Sequence, residues 1–534
     1  MLYTITEQDK NLILQQGLQY KYRFFIKRKN EIVDTVESVI SLGSYTIDAE
    51  SDVRRTISLT LYLSPYEENI EKRINSWMGL DFVFETGVYS ERDQAYVWYP
   101  CGTYLLTDGS TQYDATNNSV SLSLGDSYVK LNGTRNGQIG GAPNIIIPAV
   151  NEDGTRNILR EILTTIVKQE GGIEDYVIDD IGEFYGMSAN NENYAEYREN
   201  NPEWNTLPYD LEFSVGCLVS DEISGVTDLY PNIQKYFDVY NTFCCGMIPS
   251  CNNDSITLSN DFIQRILVSS GSESVTYDVQ NIKNVTEVFG MTYDIDRMSE
   301  NCSSSGNVYT INLDDYEKYG ASDYIAFTAN SNNVANMRFQ INSLDSIPIY
   351  YEYTTNPISP DTIKAGETHV LQYKNINDVP RFNYLGQYQP HAICVLTDSD
   401  NDPVYTKKYF EEKYNCNNVV FRVEPDSPFV VQKLGVVLDV KAGDVYDNIK
   451  SDSVAIENAI YDNIKTSSWN DIVTITTKFL PWLDVHIKVE YQKQQDSEPR
   501  QYIIKSISHN LEGAATSSIT MYRFHPLYYT YSVT

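Results

Sequence analysis

Apolar and polar residues alternate along much of the chain, most clearly over residues 57–63 and 120–124. Because successive side chains of a strand point to opposite faces, a two-residue period predicts strands with one buried and one solvated face. The same order of short motifs occurs near both ends of the chain. The first copy comprises Leu80-Asp81, Tyr104-Leu105-Leu106 and Ser119-Val120-Ser121-Leu122, and the second comprises Leu483-Asp484, Tyr502-Ile503-Ile504 and Ser518-Ile519-Thr520-Met521. The pattern predicts a duplicated antiparallel unit; the alternative is an ordinary meander of strands, which alternates in the same way.

Helical periodicity is confined to a few segments. Residues 155–168 carry apolar side chains every three or four positions, and Gly171-Gly172 follows them, which predicts a helix that ends there. The other predicted elements between the alternating regions are helices at 68–77, 220–229 and 454–464 and strands at 236–239 and 255–258. Helix and strand therefore mix in the middle of the chain.

These patterns predict a mainly β chain with an α+β domain. The expected division is a first tube-like antiparallel β-barrel at 1–135, the α+β domain at 136–278, a discontinuous second tube-like barrel at 279–303 and 434–534, and an inserted β-sandwich-like domain at 304–433. A length of 534 residues accommodates this division. It requires strands after residue 434 to pair with those near 279–293.

The charge balance narrows the range of functions. Acidic residues outnumber basic ones by 73 to 40, and the net charge of −33 argues against a protein that holds nucleic acid. Such a surface suits a conduit through which DNA passes without specific binding, provided that the charge faces the lumen. The densest basic cluster, Lys21 to Lys29, alternates with apolar residues and is interpreted as a solvated strand face. The 43 tyrosines favour strands and assembly surfaces.

Neither end of the chain nor its interior suggests membrane insertion. The N-terminus lacks the basic and apolar regions of a signal peptide, and no apolar run approaches the roughly 20 residues of a membrane span. The chain is therefore expected to stay in the cytoplasm of its host until assembly.

Candidate catalytic chemistry is weak throughout. The five histidines are scattered, and no metalloprotease, hydrolase, P-loop or dinucleotide-binding motif occurs. Cys217, Cys244, Cys245 and Cys251 contain no Cys-x-x-Cys pair, so buried free thiols are expected rather than a metal site. The run Asp398–Asp402 begins like a calcium loop, but Pro403 stands where the turn glycine belongs. No catalytic, cofactor-binding or metal-ligating residue is assigned, and the chain is predicted not to be an enzyme.

A glycine-rich stretch separates the first predicted barrel from the α+β domain. Residues 131–141 contain four glycines and no apolar period. Two interpretations are open: a flexible linker, or an ordered loop held by backbone contacts.

Several blocks resemble a known family, the hub proteins at the tip or baseplate of phage tails. They are Tyr99-Pro100-Cys101-Gly102-Thr103-Tyr104-Leu105-Leu106, Leu131-Asn132-Gly133-Thr134-Arg135-Asn136-Gly137-Gln138, Pro208-Tyr209-Asp210-Leu211-Glu212-Phe213-Ser214, Asp228-Leu229-Tyr230-Pro231, Tyr236-Phe237-Asp238-Val239 and Pro481-Trp482-Leu483-Asp484 with Arg523-Phe524-His525-Pro526-Leu527. Specifically, the blocks resemble those of tube-closing hubs of phages of Gram-positive bacteria, and the N-terminal part is similar to tail-associated lysins. The resemblance covers roughly residues 35–290 and 450–530 and does not include the insert.

The resemblance implies a homotrimer whose two barrels per chain form a pseudo-sixfold ring that closes the tail tube and opens for DNA ejection. The implied partners are distal tail or tail tube proteins and a spike, fibre or tape-measure protein, with contact to the host envelope compatible with the position. The implied location is the distal end of the virion's tail. A C-terminal cell-wall enzyme, present in some relatives, is expected to be absent here.

Two alternatives remain. A receptor- or carbohydrate-binding tail protein would use the 304–433 insert, whose Tyr, Asp and Asn residues suit sugar contacts. An enzyme acting on cell wall would need a nucleophile, metal cluster or paired acids that the sequence does not offer.

Overall fold

The computed structural model describes residues 3–29, 31–36, 40–62, 77–107, 112–141, 144–151, 153–183, 199, 202–231, 233–249, 256–269, 271–277, 281–320, 323–352, 354–376, 379–467 and 471–523. Strand accounts for 41% of the chain and helix for 16%, which confirms the mainly β fold with an α+β part. The helix predicted at 68–77 lies outside the described residues except for Trp77.

The described helices are α1 (Glu7–Ile13), α2 (Leu159–Thr165), α3 (Val219–Thr227), α4 (Asn260–Ile266), α5 (Lys407–Tyr414), α6 (Val431–Leu434) and α7 (Asp452–Ser467). Shorter turns are the 3-10 turns Ser127–Lys130 and Asp444–Asn448 and the π turn Ile166–Glu170. The first fourteen strands are β1 (Tyr20–Arg28), β2 (Glu31–Val36), β3 (Ile40–Asp48), β4 (Arg55–Tyr62), β5 (Asp81–Ser90), β6 (Ala95–Leu106), β7 (Gln112–Asp114), β8 (Ser119–Asp126), β9 (Asn144–Ile147), β10 (Tyr176–Ile178), β11 (Leu211–Ser214), β12 (Ile233–Phe237), β13 (Phe243–Met247) and β14 (Ser274–Tyr277). The remaining strands are β15 (Val285–Phe289), β16 (Arg297–Ser299), β17 (Cys302–Ser305), β18 (Val308–Ile311), β19 (Tyr324–Thr328), β20 (Arg338–Ile341), β21 (Ile347–Tyr351), β22 (Thr368–Ile376), β23 (Val379–Gln387), β24 (His391–Thr397), β25 (Val419–Val423), β26 (Leu438–Lys441), β27 (Asp471–Lys478), β28 (Lys488–Tyr491), β29 (Arg500–Asn510) and β30 (Thr516–Tyr522).

Strands from both ends of the chain lie in one 13-stranded sheet. Its main order is β14-β27-β30-β29-β3-β4-β8-β6-β5-β1-β2, with β28 on β29 and β7 on β8. The N-terminal and C-terminal strands meet where β29 pairs antiparallel with β3, from Ser506 opposite Asp48 to Asn510 opposite Ser44. We call this pairing the seam.

One hydrophobic core serves the strands on both sides of the seam. Tyr45, Ile47 and Ile57 from the N-terminal strands pack in the same cluster as Ile507 and Ile519 from the C-terminal strands. Strand periodicity explains the arrangement, since every second residue of β4, β27 and β30 is buried. The strands of the two predicted barrels thus share a sheet and a core.

The middle region mixes short helices with small sheets, as predicted. Helix α2 continues into the π turn and ends at Gly171, and Leu159, Leu163 and Val167 are fully buried along its predicted stripe. Helix α3 packs in the same core. Of the strand expected at 255–258, the described residues 256–258 contribute a single bridge, between Leu258 and Val489.

Strand β15 has one neighbour of the predicted kind and one that was not predicted. It pairs with β26, which lies after residue 434 as expected, and also with β24 of the predicted insert, in a four-stranded sheet. The closing strands β27–β30 reach the earlier strand β14 instead. Both faces of β15 are buried, because Val285 belongs to one core and Val288 to another. Helix α7 contributes to the core that contains Val288. A strand buried on both faces needs cover on each side, which an outer sheet position would not provide.

The sheet that corresponds to the predicted insert is formed by β16–β23, from Arg297 to Gln387. Its eight strands enclose a core of aromatic and branched residues. Ala149 and Val150 of the middle region belong to that core too, so the insert is packed against the α+β part.

Candidate assembly region

Arg55 is the centre of a buried joint between three parts of the chain. Its side chain is fully buried at the start of β4 and its guanidinium donates to Asp484 Oδ2 and to the carbonyl oxygen of Phe237. Phe237 lies in the middle region and Asp484 precedes the C-terminal strand β28. One side chain therefore ties the N-terminal sheet, the α+β part and the C-terminal strands together.

The charges of this joint compensate one another. The Asp484 carboxylate and nearby phenols raise the pKa of Arg55 above its usual range, against the burial that would lower it. Asp126 Oδ2 accepts the backbone N–H of Arg55 at 2.9 Å. Burial raises the pKa of Asp126 to about 6, although Arg55 opposes the shift. The arrangement matches a buried ion pair supported by additional hydrogen bonds.

Arg54 continues the joint on its other side. Its guanidinium carbon lies 3.6 Å from the centre of the Tyr236 ring, and its Nη2 donates to Gln234 Oε1 at 3.1 Å. The same Oε1 lies 2.5 Å from Nδ1 of His486. Burial and Arg54 hold the pKa of His486 well below its usual value, so the ring is neutral and donates through Nδ1–H. His486 is thus a structural residue.

The repeated Leu-Asp motif has a different environment in each copy. Asp81 pairs with Lys130 at 3.2 Å in a half-exposed ion pair, whereas Asp484 is buried with Arg55. The two copies therefore differ in what their aspartates stabilise.

Sequence reasoning missed the joint, although a signal for Arg55 was present. Arg55 occupies the same face of the alternating strand as Ile57, Leu59 and Leu61, all of which are buried. Its partner could not be predicted, because Asp484 lies 429 positions away.

The glycine-rich stretch is an ordered loop, as the second interpretation predicted. Ile139 N–H donates to the Cys217 carbonyl at 2.9 Å, and Gly137 carbonyl accepts the N–H of Val219 at 2.8 Å. Gly137 has φ +108°, and a Cβ there would lie 2.3 Å from the carbonyl oxygen of Leu131. The glycine is therefore required for the loop to pass close to its own start and to the beginning of α3.

Glu222 of α3 lies near this loop and is 2% exposed. Its Oε1 is buried and makes no hydrogen bond with any part of the chain that the structure describes. Burial, with Glu170 and Asp221 nearby, raises the pKa of Glu222 to about 7.

Two polar contacts attach the insert to the middle region. Arg156 Nη1 lies 3.2 Å from the Tyr351 hydroxyl, and Asn356 Nδ2 donates to the Asn151 carbonyl at 2.5 Å. The Tyr351 hydroxyl also accepts the Ser359 N–H, and these donors lower its pKa despite burial. The insert therefore has a fixed orientation.

The other candidate residues from the sequence make structural contacts. Cys217, Cys244 and Cys245 are buried free thiols, as expected, and Cys251 lies outside the described residues. His509 Nδ1 bonds Ser517 Oγ at 2.8 Å. Asp402 accepts the N–H groups of Val404 and Tyr405 in a surface turn. Across the described ranges no group of three or more His, Cys, Asp or Glu side chains could hold a metal ion.

The basic residues of β1 lie on its exposed or half-exposed positions, in agreement with a solvated strand face. Arg23 donates to Glu85 on β5, and its guanidinium lies 3.7 Å from the centre of the Trp98 ring. Among the helices that the structure describes, none combines the length and apolar character needed to cross a bilayer.

Comparison with known families gives one partial match. A family described as a domain of unknown function (DUF5048) matches residues 426–528, a stretch that includes α6, α7 and β26–β30. No curated protein matches the chain.

Several solved structures have a similar course of the chain. One is the 43 kDa tail protein of prophage MuSo2 from Shewanella oneidensis, with 8% identity and a TM-score of 0.43 over 95% of this chain and 98% of that one. Another is the prophage tail protein gp18 from Listeria monocytogenes EGD-e, with 10% identity and a TM-score of 0.39 over 94% of each chain. A third is a chain of the lidded Francisella PdpA–VgrG complex, with 9% identity and a TM-score of 0.40 over 98% of this chain and 55% of that one. The similar structures are thus phage tail proteins and a VgrG complex. At these identities and TM-scores the likeness assigns no function to this chain.

Proposed function

We propose that this chain is the structural hub at the distal end of a phage tail. Three copies form a ring in which two repeat units per chain provide six similar segments, so that a threefold hub mates with a sixfold tube. The ring closes the tube, anchors distal tail or tail tube proteins together with a spike, fibre or tape-measure protein, and opens for DNA ejection.

The observation that carries this proposal is the position of the residues that resemble hub proteins. The block at 99–106 forms β6 of the shared sheet, the block at 131–138 forms the ordered loop, and the block at 481–484 supplies the Asp484 partner of Arg55. The resemblance therefore lies on the residues that join the two repeat units and the middle region, which a ring-forming protomer must hold rigid.

The roles proposed for the parts of the chain follow from this joint. Residues 1–135 form one tube-like unit, and β14 with the closing strands β27–β30 forms the other. The α+β part at 136–278 lies below the ring, and the insert sheet β16–β23 extends from it. The role is structural and requires no catalysis, cofactor or metal. The assembly occurs in the host cytoplasm and the product resides in the virion.

Two measurements test the proposal. Native mass spectrometry of the purified chain is expected to give a species at three times the 60.9 kDa of one chain, with six similar lobes in averaged images. Antibody against the chain should label the distal tip of purified tails. A chain that remains monomeric at assembly concentrations, or label on the head or neck, would contradict the hub role.

A second candidate is receptor or carbohydrate binding through the insert. The contacts of Arg156 and Asn151 favour it, because a receptor-binding module must be held in a fixed direction relative to the tail. The full chain should be applied to a glycan array, since Ala149 and Val150 would be missing from the core of an excised insert. Selective retention of a glycan would support this function.

A further inference from the structure

The 13-stranded sheet has one unusual surface, on the side opposite its core. In β27, β30, β29, β3, β4 and β8, the residues that alternate with the buried ones are mainly serine and threonine. We call this surface the hydroxyl face; it consists of Thr46, Thr56, Ser58, Thr60, Ser121, Ser123, Thr474, Thr476, Ser506, Ser508, Ser518 and Thr520.

The hydroxyl face is continuous across the seam. One row of directly opposed residues runs over five strands: Thr476, Ser518, Ser508, Thr46 and Thr56. The row crosses from the C-terminal strands to the N-terminal strands without interruption. Both repeat units therefore contribute to one surface.

Many of these hydroxyls bond to each other across the strands. Thr46 Oγ1 lies 2.6 Å from Thr56 Oγ1, and Thr474 Oγ1 lies 3.1 Å from Thr520 Oγ1. Thr60 Oγ1 and Ser121 Oγ are 3.3 Å apart. Part of the hydrogen-bonding capacity is used within the face, which leaves less of it for an external ligand.

The twelve residues of the face carry no charge, although 21% of the residues in the chain are charged. Charged residues lie at its border. Asp48, at the end of β3 and opposite Ser506, accepts the N–H of Glu50 at 3.0 Å. Lys478 donates to the carbonyl groups of Ile13 and Gln15, and Lys505 pairs with Glu50 at 2.8 Å. A solvent-facing sheet in an acidic protein would ordinarily carry charges for solubility.

We propose that the hydroxyl face lines the channel of the ring and contacts passing double-helical DNA without holding it; this rests on the proposed hub function. Protein affinity for a duplex comes mainly from Lys and Arg that neutralise phosphates. A wall without cations offers no such attachment, and with the Asp48 carboxylate at its border the wall repels the phosphates only weakly. The conduit expected from the acidic composition is thereby lined by neutral hydroxyls, and the net charge of −33 lies elsewhere on the chain.

Site-directed gold labelling tests which way the face points. The labelled variants are Thr56→Cys and Ser508→Cys, which lie on opposite sides of the seam. Each is made in a full chain that carries Cys302→Ser, because Cys302 is half-buried whereas the other described cysteines are buried. The purified assemblies react with maleimide-linked gold clusters and are averaged by electron microscopy. Ser305→Cys on the exposed end of β17 is the matched control, and the unsubstituted Cys302→Ser chain gives the background.

The expected result is gold density inside the ring for both face variants and outside it for Ser305→Cys. A ring with gold on its outer surface for Thr56→Cys and Ser508→Cys would overturn the assignment of the face and leave the hub function intact. If none of the chains forms a ring, the hub function fails and the channel with it.

Discussion

Arg55 and Asp484 form the contact on which the joint between the N-terminal and C-terminal strands depends. Both side chains are almost completely removed from water, so each charge is stabilised by the other and by the groups around it. Removing one partner of a buried pair leaves an uncompensated charge, which is far more costly than losing an exposed pair.

Asp484→Asn is therefore expected to lower the free energy of unfolding by about 3–5 kcal/mol. Asp81→Asn is the matched control, because Asp81 occupies the same position in the other copy of the motif but pairs with Lys130 at the surface. Its cost should be about 1 kcal/mol or less. Denaturant unfolding of both variants measures the difference, and equal losses would contradict the role given to the joint.

Glu222 gives the stability of the middle region a pH dependence. Its pKa of about 7 in the folded protein is above the ordinary value of a glutamate, so the folded state holds a proton that the unfolded state has released. The stabilising contribution is complete below the unfolded pKa and is lost as the pH rises to about 7.

Glu222→Gln should remove this dependence. The variant is expected to have a higher Tm than the wild type at pH 8 and a similar one at pH 4.5. Glu174→Gln, which makes the same change of charge at an exposed position, should show no such divergence. Thermal melts across this range measure it; parallel curves for wild type and Glu222→Gln would contradict the assignment.

At the scale of single elements, the ordered loop at 131–141 depends on one glycine more than on its neighbours. Gly137 has a positive φ and no room for a Cβ, whereas Gly140 has nothing within 4 Å of that position. The loop holds the start of α3, so its distortion would spread into the core of the middle region.

Gly137→Ala is expected to destabilise the chain by more than about 1 kcal/mol, because the backbone must move away from the Leu131 carbonyl. Gly140→Ala should be neutral or should stabilise by about 0.4–1 kcal/mol through the unfolded state. Limited proteolysis and thermal melts compare the two. Similar behaviour of both variants would mean that the loop is a flexible linker after all.

Local patterns predicted the elements but not all of their neighbours. The stripe from Leu159 to Val167 formed the expected helical turn, and the alternation at 57–63 and 120–124 formed β4 and β8, because these patterns reflect burial along a single element. The pairing of β15 with β24 and the contact of Arg55 with Asp484 join residues far apart in the chain. Periodicity reports which face is buried, not what covers it.

At the scale of the whole molecule, the seam joins the N-terminal and C-terminal strands into one continuous surface. The hydroxyl face spans it, and charge is kept to its border. The wall of a DNA channel must bind a polyanion only weakly. If the hydroxyl face is such a wall, adding cations to it should increase its affinity for DNA.

The triple variant Thr46→Lys, Thr56→Lys and Ser508→Lys places three cations in the row that crosses the seam. The wild-type ring is expected to retain no duplex DNA, whereas the variant should bind it with a log–log salt slope of up to about −2.7, from about −0.9 for each neutralised phosphate. The control carries the same charge on the insert, with Asn301→Lys, Ser303→Lys and Ser305→Lys at exposed positions. Because those lysines lie outside the channel, phage carrying them should eject DNA normally, while phage carrying the face variant should eject it more slowly. Equal binding and equal ejection by both variants would mean that the hydroxyl face does not meet the DNA.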